Sequence, residues 1–308
     1  MQPFGQLRLT QPLFIPELPY PFAQHTCLLL YGISPYQYAA KPARAQAMKA
    51  DIIKTAWYFV WYNRKNRKLQ RRTIMKVECV WEHNGDDTLL YAINPVGACT
   101  RGPDLKIALE KMQQEVISCL KWQNAPVSAD ICAAIVQEKS STLHIADADS
   151  DVIFETETLP LSMEEYIALK RLALKSAEDF LQLYLSIPDA DVSSNPGRET
   201  FYGKVPRTAR EMYEHTKNVN AYYFNEIGIP ADNEGTILEC RERGFALLEK
   251  SASFLDNPVV EGSYGEIWSL RKVLRRFLWH DRIHAKAMYR MAQKTFGKTG
   301  CNPFMFAL

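Results

Sequence analysis

The sequence predicts an α+β protein in which a small α/β segment precedes an all-α helical bundle. Three observations carry this. Residues 76–94 hold an alternating polar and apolar run and a second, mostly apolar run joined by turn residues. Residues 159–297 show apolar positions at helical spacing behind three capping sequences. Seven of the 17 prolines fall in residues 1–74, where no such period exists.

Residues 1–74 form an irregular, basic extension. They hold eleven of the 37 Lys/Arg and two of the 35 Asp/Glu, so the rest of the chain carries 33 acidic against 26 basic groups. That acidic body argues against a general nucleic-acid surface, and no specific nucleic acid is expected as partner. Pro12, Pro16, Pro19 and Pro21 forbid a helix and spoil a strand. Residues 45–62 can form one helix, and its apolar end before the basic run Arg64 to Arg72 can lie on a membrane surface. The longest aromatic-aliphatic stretch, Ala56 to Tyr62, is far short of the ~20 residues needed to span a bilayer. Met75 opens the regular patterning, so residues 1–74 read as an appendage, or as an upstream stretch not normally translated. Seven scattered cysteines without a C-x-x-C pair imply no disulfide framework and fit a reducing cytoplasm.

Residues 75–158 read as the α/β segment. Lys76 to Glu82 alternates like a half-buried strand, His83 to Asp87 is turn chemistry, and Thr88 to Asn94 is the second strand of a hairpin. Asn94-Pro95-Val96-Gly97 breaks the sheet, and Pro103 to Trp122 is a helix with apolar residues at Ile107, Leu109, Met112, Val116 and Leu120. Ile131 to Gln137, Thr142 to Ile145 and Val152 to Glu157 are short strand candidates. Asp147 to Asp151 lacks the glycine and terminal glutamate of a calcium loop and reads as a solvated turn. A Gly-x-x-x-x-Gly loop, Gly97-Ala98-Cys99-Thr100-Arg101-Gly102, precedes the helix entry Ile107-Ala108-Leu109. Over about 30 residues this strand, loop and helix resemble the HicB-like family. The resemblance implies an antitoxin module, usually beside a DNA-binding segment. No helix-turn-helix or ribbon arm is present, which favours packing or oligomerisation, a homodimer being the simplest case.

Residues 159–308 read as four helices. Ser162-Met163-Glu164-Glu165 is a capping box before a stripe from Tyr166 to Tyr184. Pro188 to Pro206 is a long polar connection. Thr208-Ala209-Arg210-Glu211 opens a second helix that Gly228 and Pro230 stop. Asp232 or Asn233 caps a third, running to about Leu255, and Ser263-Tyr264-Gly265-Glu266 opens a fourth that ends near Gly297. One long connection between the first two helices suits a bundle.

His280 and His284 stand one turn apart on one face of the fourth helix, along the stripe of Val273, Phe277, Ala287 and Met291. His215 shares the stripe of Met212, Val219 and Tyr222 in the second helix. Three inward imidazoles can fill three corners of a tetrahedron around a divalent metal ion and leave the fourth open. The bland alternative is three satisfied core histidines.

The residues Tyr213-Glu214-His215-Thr216, Trp268 to Leu274 and His280-Asp281-Arg282-Ile283-His284 resemble the DinB-like (YfiT-like) metal-binding bundle family, over about 130 residues. The resemblance implies that His215, His280 and His284 bind a divalent ion, zinc or nickel. It also implies a thiol-dependent transferase or isomerase acting on a small-molecule thiol and an electrophile.

Around these histidines the helical wheel puts Arg276 beside the site, either to hold a substrate carboxylate or to form an interhelical ion pair. Lys272 falls at the rim. Arg271, Arg275 and Arg282 fall on the opposite, solvated face. Glu211 is a proton carrier or partner of His215, or simply the cap; Tyr222 is a substrate-facing hydroxyl or core. Asp281 reads as a surface or interhelical partner and Cys240 as a small core residue. The alternative to an enzyme is a non-catalytic interaction or regulatory module, a HicB-like segment fused to a bundle whose metal is structural or absent; an antitoxin-like regulator is a third reading.

Overall fold

In a computed structural model the chain is described over residues 74–128, 130–200, 202–297 and 301–307, all within the unit Arg72–Leu308. The expectations for the N-terminal extension, including the 45–62 helix and its membrane-surface alternative, lie outside the described residues. No described helix is long and apolar enough to cross a membrane.

The class is mixed α+β. β1 (Ile74–His83) turns at Asn84, whose side-chain oxygen accepts from the amides of Asp86 and Asp87, and β2 (Thr88–Ala92) returns antiparallel. β3 (Cys99–Gly102) pairs antiparallel with β2. The Gly-x-x-x-x-Gly stretch, expected as a loop, is therefore strand from Cys99 to Gly102. Gly97 takes φ +96°, and a Cβ there would lie 3.2–3.3 Å from Arg282 and Leu278, so this turn must be glycine to press against the last helix. α1 (Leu105–Trp122) is capped by Asp104, whose carboxylate accepts from Ile107 N at 2.8 Å. It crosses to β4 (Asp130–Ser140), which joins β1 in parallel and completes the order β3-β2-β1-β4. The expected strands at 142–145 and 152–157 are instead irregular chain with 3-10 turns at Ile145–Asp147 and Glu155–Thr158. Side chains capture the amides in both: Leu143 N donates to Ser141 Oγ and His144 N to Asp149 Oδ2, while Glu82, fully buried, accepts from Ser150 Oγ and the amides of Asp151 and Val152.

α2 (Met163–Leu185) and α3 (Ala209–Asn225) begin at the expected capping boxes. α4 (Ile237–Leu248) starts later than expected, at a box formed by Thr236 and Glu239. Asp232 and Asn233 are engaged elsewhere: Asp232 by Arg243, and Asn233 by the backbone of α3. Gly244 lets α4 approach α3, since a Cβ there would sit 2.2 Å from the Phe224 ring.

The fourth helix, α5 (Leu270–Phe296), also starts later than expected. Ser269 caps it, while Ser263–Gly265 is a 3-10 turn and β7 (Val260–Glu261) pairs with β8 (Ile267–Trp268). Glu266, expected to close a capping box with Ser263, instead binds Lys272 and Arg276 at 2.8 and 2.6 Å. The connection between α2 and α3 carries a two-residue ribbon, β5 (Glu199–Thr200) and β6 (Gly203–Lys204).

α5 packs against α2 and α3, and α4 packs against α2 and α3. The change from strands to helices falls near residue 158, but the apolar core does not divide there. One cluster joins Val77, Cys79 and Leu90 of the sheet to Ala177 and Phe180 of α2 and Met288 and Met291 of α5. A second, aromatic cluster around Tyr223, Phe224, Phe245 and Phe277 lies among the helices, with Leu161 and Trp268 added from the chain beside them, and a third puts Trp279 against Val80 and Tyr91 on the sheet. α5 is therefore enclosed on nearly every side, which corrects the expected solvated face. Arg275 and Arg282 are 4% and 2% exposed. Arg275 bonds Glu157 and the Val152 carbonyl, and Arg282 bonds Glu115 at 2.8 Å. Arg271 is half-buried and holds the carbonyls of Leu159 and Pro160. Lys272, expected at the rim, is fully buried.

Candidate metal centre

The site begins with where α3 and α5 face each other. The Thr208 box sets the phase of α3 and directs His215 at α5. The Ser269 cap, with its hydroxyl accepting from Lys272 N at 3.2 Å, sets α5. His280 and His284 then project toward His215, with ring centroids 4.4–5.1 Å apart. Their ligating nitrogens all lie within 4.8 Å of one another, and no carboxylate or thiol joins them among the described residues.

The spacing fits a metal ion. Two imidazole nitrogens at ~2.0–2.1 Å from a tetrahedral ion stand roughly 3.3–3.4 Å apart. Nε2 of His280 and Nε2 of His215 are 3.3 Å apart. The third ring's nitrogen lies within 4.8 Å of the other two, and a side-chain torsion can bring it to the same spacing. His280 Nδ1 is buried without a hydrogen-bond partner. The carboxylate that commonly orients a ligating imidazole is therefore absent at this ring. Aromatic packing holds it instead: Tyr223 stands edge-on at 6.1 Å and Trp279 at 6.2 Å.

The electrostatics favour neutral, ligand-ready rings. Burial pushes the His280 pKa well below the ordinary value, helped by the other two histidines and by Arg276 and Arg241. Burial likewise lowers His284 to about 3, with His215 and Arg101 adding to it, and lowers His215. At neutral pH no proton competes for the three lone pairs.

The flanking residues separate. Arg276 is 6% exposed, bonded to Glu266 and the Ser150 carbonyl, and stacked between Trp268 and Trp279. It is paired, but with a carboxylate of the loop just before α5 rather than with another helix, and its charge reaches His280 without a free fork for a ligand. Glu211 accepts from the amides of Arg207 and Thr208 at 2.8 and 3.0 Å, which is its capping duty. Tyr222 is 36% exposed and edge-on to Trp268, while its neighbour Tyr223 lies against His280. Asp281 is the interhelical partner of Arg241, both 0% exposed, with contacts of 2.5 and 3.2 Å. Cys240 is buried core, and burial raises its pKa.

Sequence reasoning missed what lies beside His284. A cleft of about 400 Å³ is lined by His284 and by Arg101, Lys111, Arg198, Arg282, Lys286 and Arg290. Its wall is the α2–α3 connection: Arg198 pairs with Asp147 at 2.8 Å, and the Tyr202 hydroxyl donates to the Asp147 carbonyl. Arg282, Lys286 and Arg290 recur at four-residue spacing along α5, but the other cations come from β3, α1 and the α2–α3 connection, so no single segment shows the set. Cys99 also lines the cleft, with burial pushing its thiol up to about 12. No family model matches the chain, and neither the curated proteins nor the solved structures contain a significant match to it.

Proposed function

We propose that this chain is a metal-dependent enzyme acting on small molecules, with a divalent ion, zinc or nickel, held by His215, His280 and His284. The observation that carries the reading is a three-nitrogen cluster within 4.8 Å, one pair of it at tetrahedral spacing, with no fourth protein donor among the described residues and a cleft at one of its rings. A structural site is closed by a fourth side chain, whereas a reactive one keeps a position open. Bound there, the ion supplies a Lewis acid that lowers the pKa of a thiol placed on it.

The chain's own residues do the rest. Burial keeps the imidazoles neutral, so the ion's charge is not offset by its ligands. Tyr223 and Trp279 shield His280 from water and fix its plane. Cys99, which lines the cleft, and Cys240 are poor nucleophiles, since burial raises the pKa of both thiols. A thiol transferase or isomerase with an external small-molecule thiol and an electrophile fits these features. The HicB-like segment then serves as packing partner for α5 rather than as a nucleic-acid reader.

A second reading is a structural ion in a non-catalytic module, favoured by the fact that the site ties α3 to α5. Metal analysis of untagged protein, followed by loading with cobalt and addition of cellular thiols, separates the two. About one ion per chain, lost in His215→Ala, His280→Ala and His284→Ala while helicity persists, supports the site. A thiolate-to-cobalt charge-transfer band supports the enzyme. Near-full metal content in two of the three variants refutes the site, and absence of any band or turnover refutes the enzyme.

A further inference from the structure

The cleft beside His284 has a charge pattern that the metal reading does not require. Six cationic side chains line it against two carboxylates, Glu115 and Asp147. Those carboxylates are already used. Glu115 neutralises Arg282 and Lys286, and Asp147 neutralises Arg198. Arg101, Lys111 and Arg290 remain, and none of them has an ion pair among the described residues. Arg101 gives one guanidinium N–H to the Ala146 carbonyl, and its backbone carbonyl accepts from Lys111 Nζ at 2.8 Å. That bond places the Lys111 ammonium next to the β3 backbone that carries Arg101. Gathering like charges around one concavity is unfavourable unless an anion enters it. The rest of the lining includes Val205, Pro206, Ile283 and Ala287, an apolar side on which a carbon skeleton can lie. The size, about 400 Å³, is that of a small-ligand site, at the lower end of the ~300–1,000 Å³ range.

We propose that this cleft binds a small oxyanion-bearing molecule, a carboxylate or phosphate ester, with its charged end on Arg101, Lys111 and Arg290. Its other end reaches His284. The part about the charged end stands on the cleft alone; the part about reach to an ion rests on the three-histidine centre. Guanidinium groups suit this task because two N–H donors match two oxygens of a carboxylate or phosphate. The α2–α3 connection becomes the wall that keeps such a ligand in place, through the Arg198–Asp147 pair.

The test uses the full chain, metal-loaded and metal-stripped, titrated calorimetrically at constant ionic strength. The probes are inorganic phosphate, succinate and glucose as the neutral control. Saturable binding of phosphate or succinate and none of glucose is expected. The tighter of the two identifies a phosphorylated or a carboxylic ligand. Arg101→Gln and Arg290→Gln are each expected to weaken that binding about tenfold at unchanged metal content. Lys106→Gln, an exposed cation outside the cleft, is expected to leave it unchanged. Arg101→Lys, which keeps charge without the fork, is expected to fall between. No saturable oxyanion binding, or binding indifferent to both Arg→Gln changes, overturns the proposal. Oxyanion binding by a protein that holds no metal in either preparation removes the three-histidine centre and leaves the cleft standing. Metal retention without oxyanion binding does the reverse.

Discussion

Replacing Asp281 by alanine tests how α5 can be so charged and yet so buried. Arg241 and Asp281 are both 0% exposed and meet through two N–H···O contacts. Without Asp281 the guanidinium keeps one carbonyl, that of Ala173 at 3.3 Å, and the face of Phe277 at 4.1 Å. Neither carries negative charge, so a cation stays buried uncompensated, at a cost of roughly 3–5 kcal/mol. Against a total stability of about 5–15 kcal/mol that is a large fraction. With a urea slope of about 3 kcal/mol per molar, the midpoint falls by roughly 1–1.7 M with unchanged slope. The double change Arg241→Met, Asp281→Leu removes both charges and should recover most of the loss, because hydrophobic replacement of a buried pair is about neutral. Urea unfolding followed by circular dichroism at pH 7 reads both. Metal affinity should fall as well in Asp281→Ala, since an unneutralised Arg241 stands near His280. A single-variant loss under about 1 kcal/mol, or a double variant no better than the single, refutes the reasoning.

Two further outcomes are expected. The metal-free protein should lose stability as pH falls below about 6.5: unfolded imidazoles take protons there, whereas His280 and His284 in the fold do so only at lower pH, about 3 for His284. The unfolded state then binds more protons, so the slope reaches about 1.4 kcal/mol per pH unit for each fully shifted ring, less for His284, which keeps some solvent access. Denaturation series at pH 7, 6 and 5 should show it, with a flatter slope in His280→Ala; an unchanged slope in that variant would contradict the burial argument. Glu211→Ala should cost about 1 kcal/mol through loss of the α3 cap while metal content stays constant; a parallel fall in bound metal would return Glu211 to the site.

Much of the helical half is written in local chemistry. The boxes at Ser162 and Thr208 act within four residues, so they start α2 and α3 where the sequence alone places them. The four-residue spacing of His280 and His284 likewise puts both rings on one face of any helix that contains them. Their meeting with His215 follows from two apolar stripes that must be buried together. Where local chemistry had a rival, the tertiary structure decided. Glu266 left Ser263 for Lys272 and Arg276, which shortened α5, and Glu82 drew the amides after Ser150 out of a strand. The fate of the α5 arginines was also beyond local reading. A helical wheel sorts residues by charge and calls an Arg-rich face solvated, but Glu115, Glu157 and Asp281 arrive from other parts of the chain or lie where only packing reveals their partners. The cleft has the same origin: α5 contributes three cations, and β3, α1 and the α2–α3 connection contribute one each at distant sequence positions. A concavity is a property of surfaces brought together by the shared core, and no single segment carries its pattern.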